Sequence, residues 1–159
     1  MAPRVADNIT TVPRIVLTTT IAASVQDCFD LSLSVDAHTS SMTDSGERIV
    51  SGVRSGAMTL GDTVTWRARH FGIPFTMTSR ISEYEAPTRF VDEQVSGPFA
   101  RWWHEHTFEE QGDLTVMTDD VVFASPLGYL GRLVDKAVLT SYMTRLLKRR
   151  NAWLAHELT

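Results

Sequence analysis

From residue 47 to residue 124, apolar and polar residues mostly alternate with a period of two, and clusters of Gly, Pro and Asp interrupt the alternation. Successive side chains of a strand point to opposite faces. The pattern therefore predicts strands over 47–53, 63–71, 75–84, 89–95, 98–109 and 114–124, with a further one over 14–22. Gly72 and Pro74 end the strand at 63–71. Glu85-Ala86-Pro87, Ser96-Gly97 and Gln111-Gly112-Asp113 are short connections that suit antiparallel hairpins. Elsewhere the longer helical period takes over. Ser24 is a candidate N-cap for a helix in which Val25, Cys28, Phe29 and Leu31 recur at helical spacing, followed almost at once by a second short helix over 35–42. Pro126 opens a long helix that runs to about residue 158, with Leu130, Leu133, Val134, Ala137 and Val138 on one broad face. Beyond Tyr142 its apolar residues, among them Leu146, Leu147, Trp153 and Leu154, drift around the axis, which predicts contacts on more than one side.

The strand at 98–109 carries the most telling row. Alternation sends Trp102, His104, His106 and Phe108 to one face and Arg101, Trp103, Glu105 and Thr107 to the other. The second row suits water, so the two imidazoles are expected inside, between large aromatics. A buried polar group left unpaired costs about 1–3 kcal/mol, so each imidazole needs a hydrogen-bond partner, a metal ion or a polar ligand. Equivalent inward rows are Val64, Trp66, Ala68 and His70 on the third strand and Met117, Asp119, Val121 and Phe123 on the last. Leu114, Val116 and Val122 make the other face of the last strand a rival, and at 89–95 Phe90, Asp92 and Gln94 compete with Val91, Glu93 and Val95.

Composition narrows the class. With 159 residues, 43% of them hydrophobic, the chain suits a leader over 1–12 followed by a single domain over 13–159. A formal charge of −4 argues against nucleic acid as a partner. The one basic run, Lys148-Arg149-Arg150, reads as a solvated helix face near a C-terminus. Cys28 is the only cysteine, which excludes an internal disulfide and suits a reducing cytoplasm. No apolar stretch is long enough to span a bilayer, so no membrane insertion is expected. A monomer or a homodimer fits equally.

One strand, two short helices, six strands and a long C-terminal helix describe an α+β chain in which a curved antiparallel sheet wraps a helix. The residues Phe29-Asp30-Leu31, Gly61-Asp62-Thr63-Val64-Thr65-Trp66, Arg89-Phe90-Val91-Asp92, Gly97-Pro98-Phe99, His104-Glu105-His106-Thr107-Phe108, Met117-Thr118-Asp119 and Pro126-Leu127-Gly128 follow one another in that frame. In this order the chain, from about 14 to 158, resembles the SRPBCC superfamily, the START-like or birch-pollen-allergen-like helix-grip proteins, including their polyketide cyclase and dehydrase group. The resemblance implies a helix-grip fold of about seven strands. It is weakly specific for activity, because the superfamily holds carriers, receptors, cyclases and oxygenase domains.

A curved sheet gripping a helix leaves an interior gap suited to a hydrophobic or aromatic small molecule. The candidate ligand-binding residues are Trp66, His70, Met77, Phe90, Asp92 and Trp102, with Phe108, Met117, Val121 and Phe123 from the last two strands and Val134 and Val138 from the helix. Binding in secondary metabolism is the first functional expectation. The second is a cofactor-free cyclase, dehydratase or isomerase in which His104 or His106 exchanges protons and Asp119 orients it. A metal-dependent enzyme is a distant third. His104-x-His106, followed at the same parity by Glu110, imitates the metal motif of cupin barrels, but no histidine follows on a later strand and only His156 remains. Neither a metal nor a cofactor is expected.

Overall fold

The computed structural model describes residues 12–126 and 138–159. Seven strands form one antiparallel sheet: β1 (Arg14–Ile21), β2 (Arg48–Gly52), β3 (Thr63–His70), β4 (Ile73–Glu85), β5 (Arg89–Ser96), β6 (Arg101–Gln111) and β7 (Leu114–Ala124). Their order in space is β1-β7-β6-β5-β4-β3-β2, so every chain-consecutive pair from β2 to β7 is a neighbour and β1 closes on β7. Helices α1 (Val25–Leu33) and α2 (Val35–Ser41) follow β1, and α3 is described from Thr140 to Glu157. The architecture is the helix-grip arrangement.

Local chemistry explains the connections. The Ser24 hydroxyl accepts the Asp27 N–H at 3.0 Å and starts α1. Ser34 ends that helix and begins the next: its N–H donates to the Leu31 carbonyl at 3.2 Å, while its hydroxyl accepts the Ala37 N–H at 3.1 Å. One residue in extended conformation therefore turns the chain between two helices. Gly52 adopts φ +82 beside the Thr63 carbonyl, where any Cβ would collide, so β2 and β3 can approach only with glycine there.

Two features differ from the sequence expectation. Pro74 lies inside β4, opposite Arg69 of β3, rather than ending the strand region. At that point β4 extends beyond its pairing with β5, which begins at Thr78, so proline faces a side where no ladder hydrogen bond is needed. Arg150 is buried, at 6% exposure, rather than part of a solvated basic face. It shares the inward side of α3 with Leu147, Asn151 and Leu154 at spacings of three, four and seven. Arg149 does point outward and pairs with Asp44.

The larger core cluster centres on Phe29 of α1, which meets Tyr84, Phe90 and Phe108 edge-on with ring centroids 5.4, 5.6 and 5.6 Å away. A second cluster joins Ile15, Val121, Phe123 and Leu147 under the C-terminal helix. No described helix is long and apolar enough to cross a membrane.

Candidate functional site

Three adjacent strands bring ionisable groups together on the concave face of the sheet. Register pairs Phe90 with His106 and Asp92 with His104 between β5 and β6, and His106 with Asp119 between β6 and β7. Alternation then places Asp92, His104, His106 and Asp119 on one side. Asp119, His106 and His104 are buried at 0, 2 and 5% exposure.

The contacts form a closed ring. His104 Nε2 is 2.8 Å from Asp119 Oδ1, and His106 Nε2 is 2.9 Å from Asp92 Oδ2. The other ring nitrogens face the opposite carboxylates: His104 Nδ1 lies 3.5 Å from Asp92 Oδ2, and His106 Nδ1 lies 3.1 Å from Asp119 Oδ1. That last contact is off the N–H direction, and His106 Nδ1 makes no hydrogen bond. The imidazoles overlap at a centroid separation of 3.7 Å. Phe90 stacks on His106 at 4.1 Å, and Trp102 meets His104 edge-on at 6.2 Å.

From α3, Asn151 Nδ2 donates to Asp119 Oδ2 at 2.6 Å and also reaches Thr19 Oγ1 at 3.1 Å. Arg150 Nη1 donates to Asp119 Oδ1 at 3.2 Å. Asp119 is thereby fixed from two elements, β6 and α3. Burial alone would push its carboxyl up, but the hydrogen bond from His104, the close His106 ring and the Arg150 charge outweigh that and hold it well below the usual carboxylate range. Asp92 follows the same balance. Burial raises it, the histidines and Arg150 lower it further, and it comes to about 2. Burial, then the neighbouring His106, pushes His104 below its ordinary 6.5.

This ring forms part of the wall of a pocket of about 310 Å³ between the sheet and the helices. Trp66, His70, Met77, Phe90, Asp92, Trp102, His104 and His106 line it. So does Arg150, which sequence reasoning assigned to solvent. Asp119 sits behind the imidazoles. Phe108 and Met117 pack into the Phe29 cluster, and Val121 and Phe123 pack under α3, rather than meeting the pocket. All four occupy the inward face, but the helices cover their part of it. Val138 is 49% exposed, and Val134 lies outside the described residues.

Other polar groups on the pocket wall went unnoticed in the sequence. His38 Nε2 is 2.9 Å from Glu47 Oε1, and its ring lies over Trp66 at 4.3 Å. Tyr142 of α3 meets His70, Oη to Nδ1, at 2.7 Å. The helical spacing of Tyr142, Leu146 and Arg150 was the available signal for these residues, masked by the adjacent basic run. Asp92, His104 and His106 are the described residues whose ligand atoms converge closely enough to hold a metal ion, all within 4.8 Å of one another.

No family model matches the sequence, and no curated protein matches it either. Solved structures do match in fold. A START superfamily protein from Mycobacterium smegmatis superposes with a TM-score of 0.70 at 14% identity, over 92% of this chain and 99% of that one. The Zhui aromatase/cyclase from Streptomyces sp. R1128 gives 0.69 at 14% identity, over 92% and 93%. A ginseng major latex-like protein from Panax ginseng gives 0.66 at 12% identity, over 93% and 98%. The chain shares the helix-grip fold with these structures, the fold that the resemblance of its sequence motifs implied.

Proposed function

We propose that the chain binds a hydrophobic or aromatic small molecule, of the secondary-metabolite kind, in the pocket between the sheet and α3. The observation that carries this reading is the wall itself. Trp66, Met77, Phe90, Trp102 and Leu147 supply apolar surface, and a few converging polar groups, Asp92, His104, His106 and Arg150, stand at one region of it. Apolar walls give affinity and a small polar set fixes orientation. A ligand with a carbonyl or carboxylate would suit the Arg150 guanidinium, whose hydrogen bonds to described side chains leave through Nη1 alone. Structural neighbours described as a START superfamily protein and as an aromatase/cyclase support a small-molecule ligand at the level of the fold.

Acid–base turnover by His104 or His106, oriented by Asp119, is the second reading: Asp119 has no exposure and lies behind the imidazoles, while both histidines stand on the pocket wall. A buried lone thiol at Cys28 fits a reducing compartment. Native mass spectrometry on protein purified from its own producing cells tests the reading. A retained compound of defined mass supports it. Bare protein that also takes up no member of a panel of aromatic polyketones contradicts it.

A further inference from the structure

The His–Asp ring has a geometry that hydrogen bonding alone does not account for. With both carboxylates ionised and both imidazoles neutral, the two ring N–H groups serve the hydrogen bonds of 2.8 and 2.9 Å, and the remaining approaches of 3.1 and 3.5 Å each set a nitrogen lone pair against a carboxylate. Protonating both rings instead would place two cations face to face at 3.7 Å. A cation between Asp92 and the imidazoles removes the conflict, since each ring then offers a lone pair to the ion and carries its N–H on the nitrogen nearer Asp119.

We propose that Asp92 Oδ2, His104 Nδ1 and His106 Nε2 bind a divalent first-row transition ion, with Asp119 as the shared outer partner of both imidazoles and the remaining coordination positions open to the pocket. Donors bound to one such ion at about 2.0–2.2 Å stand roughly 2.9–3.5 Å apart. Asp92 Oδ2 is already 2.9 Å from His106 Nε2 and 3.5 Å from His104 Nδ1. Metal-bound histidines nearly always donate their second N–H to a carboxylate or carbonyl. Here His104 Nε2 and His106 Nδ1 both face Asp119 Oδ1, and Arg150 and Asn151 hold that carboxylate in place. His106 Nδ1 is moreover a buried ring nitrogen without a hydrogen bond in the metal-free arrangement. With neutral imidazoles, Asp92, Asp119 and Arg150 sum to one negative charge, which favours a divalent cation.

The donor set selects among ions. Two imidazoles and one carboxylate suit zinc, iron(II) or cobalt(II), whereas magnesium and calcium prefer oxygen alone. The sequence reading looked for a further ligand on a later strand; Asp92 arrives from the earlier one, β5. The side chain of Asp92 is 21% exposed, which leaves the ion a route in from the pocket.

The test is metal titration of the chelator-treated full chain with zinc by calorimetry and with cobalt(II) by visible absorption, without any organic ligand. The expected result is one equivalent bound, with ligand-field bands for cobalt and no competition from magnesium. Asp92→Ala and His104→Ala should each weaken binding by at least about a hundredfold, and Asp119→Asn by about ten- to a hundredfold. His156→Ala, at an exposed site, should leave it unchanged. Far-UV circular dichroism confirms folding. If His104→Ala fails to fold, Asp92→Asn, at the more exposed position, decides the matter. Folded wild-type chain that binds neither zinc nor cobalt overturns the proposal, as does binding that survives the Asp92 substitution. Because no organic ligand enters the measurement, either outcome leaves the small-molecule reading to stand or fall on its own test.

Discussion

Arg150 and Asp119 meet at 3.2 Å in the interior, one from the C-terminal helix and the other from β7, and together they fasten that helix to the sheet. Removing one member of a buried ion pair leaves the other charge uncompensated, at about 3–5 kcal/mol. Arg150→Met should therefore destabilise the chain by about 3 kcal/mol in urea unfolding. A loss below about 1 kcal/mol would show that His104 and Asn151 alone suffice to hold Asp119.

Phe29 is the packing counterpart of that pair. It has no exposure and meets three aromatic rings edge-on. Truncating such a residue costs about 3–5 kcal/mol through lost transfer energy and the cavity left behind. Phe29→Ala should fall in this range in the same assay, whereas Phe71→Ala, at a site 60% exposed, should change stability by less than about 0.5 kcal/mol.

How far the sequence disclosed this molecule depends on what each signal encodes. Parity along β3, β6 and β7 was legible because a period of two survives any packing arrangement, and it placed Trp66, His104, His106 and Asp119 on the inward face. Parity says nothing about what stands opposite. Phe108 and Trp102 share a row, yet one packs under α1 and the other reaches the pocket. In β5 the alternation itself fails, since Phe90 and Val91 are both buried, and Asp92 could not be assigned a face. Arg150 was obscured because a linear basic run resembles a solvated surface, although a helix turns each successive residue by about 100°.

His70 gives the stability a pH dependence outside the His–Asp ring. Burial lowers its pKa below the ordinary 6.5, against a small opposing influence of Glu47, and its Nδ1 contacts the neutral Tyr142 hydroxyl. As pH falls through the unfolded value near 6.5, the unfolded chain takes up a proton that the folded chain resists, so this contribution destabilises the fold at lower pH. Between pH 7 and 5 the wild type should lose more stability than His70→Gln. The His70 ring should titrate below 6.5 by NMR. A ring titrating above that value contradicts the assignment.

Cys28 is 1% exposed and burial pushes its thiol up, with Asp27 adding to the effect and Thr115 opposing it. A thiol reagent should modify it in the native chain only at the rate of local or global opening. Adding denaturant should accelerate labelling by several orders of magnitude. Rapid stoichiometric labelling of the native chain would mean that α1 opens readily.

The central claim, that the pocket takes a hydrophobic or aromatic ligand, is tested most directly by fluorescence. Trp66 and Trp102 stand on its wall, so replacing Trp103 and Trp153 by Phe leaves emission that reports on the pocket. Titration with anilinonaphthalene sulfonate, an aromatic anion, should quench that emission saturably with one site per chain. Ala68→Phe, which fills space on the same wall, should abolish the effect without unfolding the chain. An unsaturable response, or one that the Ala68 substitution leaves unchanged, would contradict the account.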